Sequence, residues 1–238
     1  MALPVLTNDK PMYDVVVPSL QQSFKFRPFL VKEQKSLLVA YESQDMKQIL
    51  NAMLNCIETC VPGIKINELA TFDIDYVFTQ LRAKSVGETA QVQITCPDDD
   101  KTKVPILIKL DDIKIKTSKE HSKDIKLDDN LTLRMKYPSM KEFIKSNFSV
   151  EGMKPEDTFD LIISCIEQVY SQEESWSASD CTKDEMNEFL DQLNSTQFKE
   201  IEKFFETMPK LSHTLKVKNP KTNVINDIKL EGLTAFFG

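Results

Sequence analysis

Apolar residues recur along this chain at spacings of three and four in some stretches and in strict alternation in others. Met46, Ile49, Leu50, Met53, Leu54 and Ile57 make one helical stripe, which predicts a helix over 45–60 with Asp45 as cap or first-turn carboxylate. A shorter helix over 32–41 precedes it, broken at 42–44, and Pro62-Gly63 closes the pair. A third helix follows Thr71, with Phe72, Tyr76, Phe78, Leu81 and Val86 as packing positions and Asp73 and Asp75 in its first turn. Pro155 opens a helix that the spacing of Phe159, Leu161, Ile162, Cys165, Ile166 and Val169 extends to 169. Ser139 is placed to cap a short helix to Asn147, and Thr182 to Glu185 is a capping box ahead of Met186, Phe189, Leu190 and Leu193. A last helix, over 197–207, carries Phe198, Ile201, Phe204 and Phe205.

The period is two elsewhere. Residues 89–95 and 104–110 alternate on either side of a polar tip, which predicts a β-hairpin, and 213–218 with 225–230 predict a second. The two units share a strand, an X-Pro turn, a return strand ending Ile-Lys-Leu and an acidic residue after it, so they form a quasi-repeat. Residues 131–136 alternate as a single strand. Residues 13–17 suit one edge strand in an extended N-terminal arm that holds Pro4, Pro11 and Pro18.

The chain turns at residues 26–38. Pro28 fixes its own φ and biases Arg27 away from the helical region, so the helix starts only after the corner. Phe26, Phe29 and Leu30 are then free to pack as a wedge while Lys32, Glu33 and Lys35 face water. These patterns predict an α+β fold with helices around two β-hairpins. Its segments are an arm (1–25), a helical region (26–88), a hairpin and strand region (89–136), a second helical region (137–210) and a C-terminal hairpin with an apolar tail (211–238), together one compact unit.

Composition narrows the function. The 238 residues are 41% hydrophobic, enough for a substantial core. Net charge is −7 and no Lys/Arg run exceeds two, which argues against a nucleic-acid groove or a membrane surface. No apolar run nears the ~20 residues of a membrane-spanning helix, and residues 1–14 lack the pattern of a secretion signal. Five cysteines, at 56, 60, 96, 165 and 181, read as buried thiols of a soluble cytosolic protein. Five dispersed glycines exclude a standard phosphate-cradling loop.

Candidate chemistry is sparse. The two histidines, His121 and His213, neighbour no glycine-bounded nucleophile, so no catalytic residue is assigned. Asp98-Asp99-Asp100 lacks the spaced oxygens and glycine turn of a calcium loop. Cys96 stands alone, with Asp99 where a second zinc ligand would sit, so no metal or cofactor is expected. Contact surfaces remain: the anchor Phe26, Arg27, Pro28 and Phe29, the loop at 171–180 with the sole tryptophan, Trp176, and the terminal Phe236 and Phe237. For the anchor, an internal core contact is the alternative.

Several motifs, in order over residues 13–238, carry a resemblance. They are Pro18-Ser19 with 26–33 (FRPFLVKE), 81–88 (LRAKSVGE), Tyr137-Pro138-Ser139, 204–209 (FFETMP) and the ending from Leu230 through Phe236-Phe237. Together they resemble the baseplate hub assembly family of T-even-type contractile-tailed bacteriophages. The resemblance implies a non-enzymatic, chaperone-like role for hub or tape-measure proteins, in host cytoplasm during assembly. Its alternative is a permanent structural subunit of the virion hub, and self-association is compatible with either. Members of that family often carry cysteine pairs at the hairpin tips, like zinc ribbons. Cys96 with Asp99, and Asn219 with Thr222, depart from that pattern, which implies metal-free, degenerate ribbons here.

Overall fold

The computed structural model describes residues 11–140, 142 and 155–232. The fold is α+β, and six helices and eleven strands lie among the described residues. The chain divides into two compact units that interleave along the sequence instead of following one another. One takes the described parts of Met1–Ile66, Asp73–Lys114 and Leu211–Gly238, and the other Asn67–Phe72 and Ile115–Lys210.

The first unit opens with a hairpin. β1 (Tyr13–Val17) pairs antiparallel with β2 (Gln22–Phe26), so the expected single edge strand has a partner inside the segment expected to be an arm. Val15, Val17 and Phe26 are buried while Val16 is exposed, the alternation of a half-buried ribbon. Gln21 closes the turn at φ 52°. Two helices follow, α1 (Val31–Glu42) and α2 (Met46–Cys60), with Asp45 capping the second through the Lys47 and Gln48 amides.

The third helix, α3 (Thr71–Ser85), has no single apolar stripe. Ile74, Val77, Phe78, Thr79 and Leu81 are all buried, as in a helix covered on most sides, whereas Val86 beyond its end is exposed. Asp73 is fully buried too. Its carboxylate accepts the Ser19 amide (2.9 Å) and hydroxyl (2.5 Å) from the β1–β2 turn. The acid at the helix start therefore anchors the N-terminal hairpin. Two further hairpins complete this unit, β3 (Thr89–Thr95) with β4 (Lys103–Lys109), and β10 (Lys210–Lys218) with β11 (Ile225–Glu231). A short strand, β5 (Lys114–Lys116), carries the chain out of it.

The second unit is a sheet with helices on its apolar face. β6 (Asp124–Lys126), β7 (Thr132–Met135), β8 (Ile166–Tyr170) and β9 (Ser175–Ser177) are neighbours in that order, all antiparallel. Leu133, Met135, Cys165 and Ile166 pack with Ile201 and Phe204 of α6 (Ser195–Thr207) and with Met186 and Leu190 of α5 (Lys183–Asp191). Helix α4 (Pro155–Ser164) adds Leu161 and Ile162.

Two expectations fail here. The helix predicted to reach 169 stops at Ser164, and the next residues form β8. The register between β7 and β8 shifts at Arg134 and Met135, so Met135 faces Ile166 while Arg134 faces Gln168. One extra residue in the strand puts Ile166 and Val169, three apart, on the same buried side. A bulged strand thus shows the spacing of a helix. Likewise the 171–180 loop contains strand β9. The short helix expected to run from Ser139 to Asn147 lies largely outside the described residues, although the Ser139 amide and hydroxyl do meet the Glu142 carboxylate.

Candidate functional site

The expected anchor is a buried knot. Glu33, read as solvent-facing, is 7% exposed and the Arg27 side chain 14%. The Arg27 guanidinium donates to Glu33 Oε1 (3.0 Å) and the Pro28 carbonyl (2.9 Å), and the Leu30 amide donates to Glu33 Oε2 (2.8 Å). Arg27 N–H reaches the Cys60 carbonyl, and the Phe29 amide the Ser85 hydroxyl. The rule that water suits a glutamate loses here because this carboxylate serves both the start of α1 and the arginine. Burial pushes its proton affinity up, but the hydrogen bonds from Arg27 and Leu30 outweigh that and hold it below the usual carboxylate range. Phe26 and Phe29 are buried and Pro28 is half-buried, so their apolar area is used within the unit.

The quasi-repeat is visible as geometry. At the first tip the Asp100 amide donates to the Cys96 carbonyl, and at the second the Asn223 amide donates to the Asn219 carbonyl, both at 2.9 Å. Asp100 (φ 50°) and Asn223 (φ 63°) both take the left-handed conformation that Asp and Asn tolerate best among non-glycine residues. The tips also meet. Asp98 accepts from the Asn219 amide group (3.1 Å), the Asn226 amide group (2.8 Å) and the Thr222 hydroxyl. These bonds, Thr222 and Asn219 foremost, hold the Asp98 carboxyl below its ordinary range.

The donor set at these tips does not fit zinc. Cys96 is the one sulfur, and burial, then the charges of Asp98 and Asp99, push its thiol up, away from the thiolate that zinc takes. Asp99 is committed to Thr102 and to the Lys101 and Thr102 amides, and the Asn219 side-chain oxygen accepts the Lys221 and Thr222 amides. Hydrogen bonds do here what a shared ion would do. Sequence reasoning missed Asp98 as the tie because it weighed the three aspartates only as a calcium loop at a polar tip.

His121, which neighbours no candidate nucleophile in the sequence, sits in an aromatic cluster of the second unit. Its ring stacks on Tyr137 (5.6 Å between centroids) and lies 5.2 Å from Phe204. Nδ1 is 3.1 Å from the Thr207 hydroxyl and Nε2 is 3.0 Å from the Tyr137 hydroxyl. Thr207 already donates to the Lys203 carbonyl (2.6 Å), so Nδ1 carries the proton and Nε2 accepts from Tyr137. Burial, then the nearby Lys123 charge, lowers the imidazole's proton affinity and so favours the neutral ring. Every polar atom of the ring is satisfied by a side chain that itself packs.

Trp176 is different: it is 45% exposed. It faces Val169 across the β8–β9 pair, on the same side of the sheet, and lines an apolar groove of about 320 Å³ with Ala178, Cys181, Met186 and Phe189. Phe236 and Phe237 lie outside the described residues. No group of three or more metal-ligating side chains is found among the described residues, and no helix among them is long and apolar enough to cross a membrane.

A family model described as T4 bacteriophage base plate protein matches residues 10–238. The chain belongs to that family. Searches of curated proteins and of solved structures returned no match. The base plate family match covers both compact units, so the knot, the joined tips and the histidine cluster all lie within its span. Two of the motifs that carry the resemblance meet in space, since Tyr137 of one and Phe204 and Thr207 of the other hold His121 between them.

Proposed function

We propose that this base plate protein is a non-enzymatic factor in building the central hub of the phage tail baseplate. It works through protein–protein contacts and in a chaperone-like manner toward hub or tape-measure proteins. The observation that carries the reading is the family match over residues 10–238. The chemistry of the site agrees with it, because His121, Asp98 and Asp99 spend their hydrogen bonds on neighbours in the fold. Of the residues expected to touch partners, Trp176 is the one we carry forward, being exposed beside a groove. The anchor residues act from within, by holding the N-terminal hairpin to α1 and α2.

The test is infection with a phage whose copy of this reading frame is interrupted. The expected result is failure to complete baseplates, restored when the chain is supplied in trans. Complete tails at the normal yield without the chain would overturn the proposal.

A further inference from the structure

The groove beside Trp176 has one wall of sheet and one of helix. β8 and β9 supply Ile166, Val169 and Trp176, and α5 supplies Met186 and Phe189. Its volume, about 320 Å³, stands at the small end of the ~300–1,000 Å³ typical of sites that bury a ligand. β9 is the last strand of its sheet among the described residues, so its outer backbone groups have no neighbouring strand there. An apolar trough next to an open strand edge is the geometry that takes up a peptide segment.

Charge says which kind. Residues 171–192, the stretch that brings Trp176, Ala178, Cys181, Glu185, Met186 and Phe189 to the groove, hold seven carboxylates and one lysine, a net −6 in a chain whose total is −7. All seven carboxylates belong to exposed residues, from Glu173 to Asp191. The lysine, Lys183, is itself paired with Asp160 at 2.7 Å. Glu185 lines the groove itself, and the other six carboxylates are exposed along the same stretch of chain. Such a rim attracts a cationic partner and repels an anionic one.

We propose that this groove docks a basic segment of another protein, with large apolar side chains seated against Trp176, Met186 and Phe189 and its lysines or arginines on the acidic rim. The inference rests on the reading that the chain acts through protein contacts. The chain's own C-terminal stretch does not match this chemistry, since residues 230–238 contain no basic residue and include Glu231.

Trp176 is the only tryptophan in the chain, so its fluorescence reports this groove directly. The full-length chain is titrated with a short synthetic peptide of alternating lysine and leucine. Controls replace lysine by glutamate, or leucine by serine, and a further peptide spans residues 225–238. The lysine–leucine peptide is expected to shift Trp176 emission to the blue with saturation. Binding should weaken about ten-fold between ~0.05 and ~0.5 M salt. Both control peptides should bind about ten-fold or more weakly. The double variant Glu173→Lys/Glu174→Lys, at exposed positions, should lose binding with an unchanged melting temperature.

Equal binding of the glutamate–leucine peptide, or no shift with any peptide, overturns the proposal. Tighter binding of the 225–238 peptide assigns the groove to the chain's own terminus instead. A blue shift on concentrating the protein alone assigns it to a second copy. Titration of the isolated chain is independent of tail formation, so failure here and failure of the assembly role are separate outcomes.

Discussion

At the scale of single residues, one buried and one half-buried titratable group set testable behaviour. Glu33 is held charged by Arg27 and the Leu30 amide in a nearly dry corner. Removing one partner of such a pair leaves the other charge buried, at a cost of about 3–5 kcal/mol. Arg27→Ala should therefore lower the unfolding free energy by roughly 3 kcal/mol, read by chemical denaturation, while Lys32→Ala, at an exposed neighbour, should change it little. The Glu33 carboxyl has its proton affinity lowered in the fold, so its contribution is present above its unfolded pKa and is lost as acid protonates it. His121 acts at higher pH. Its proton affinity is also lowered in the fold, so the unfolded chain takes up a proton first as pH falls. Stability from this site is complete above the unfolded histidine value of about 6.5 and declines as pH drops below it. Thermal melts between about pH 7.5 and 5 should show that decline, and His121→Phe should flatten it. An unchanged slope in the variant would remove His121 from the account.

At the scale of elements, the joined hairpin tips are the feature most open to test. Asn219 is fully buried, and its side chain both donates to Asp98 and accepts the Lys221 and Thr222 amides. Asn219→Ala should cost about 1–3 kcal/mol, and chelators should leave the wild-type melting temperature where it is. Much of this level was legible in the chain. Asp45 and the stripe from Met46 to Ile57 specify α2 locally, and Thr182 with Glu185 specify the start of α5, because capping and periodicity depend on neighbours in sequence. The hairpins were legible by alternation. The partner strand β2 was not, although Phe24 and Phe26 alternate, because Pro4, Pro11 and Pro18 suggested an extended arm with a single edge strand. β8 was misread because its bulge converts a period of two into a spacing of three. The roles of Asp98, Glu33 and His121 were illegible for one reason. Each is set by partners brought close only by the fold, such as Asn219 for Asp98 and Thr207 for His121.

At the scale of the whole molecule, the two units interleave, and the family match runs through both of them. His121, Asp98 and Asp99 are hydrogen-bonded within the fold, and the stretch 171–192 that lines the groove carries a net −6. Such a molecule suits assembly by contact. The most direct measurement follows the chain through infection with an antibody, separating free protein, tail intermediates and purified virions. The account predicts that it co-fractionates with hub intermediates and is released before the virion is complete. Fixed stoichiometry in purified virions would instead make it a permanent subunit of the hub. Its absence from both intermediates and virions would contradict a role in the baseplate.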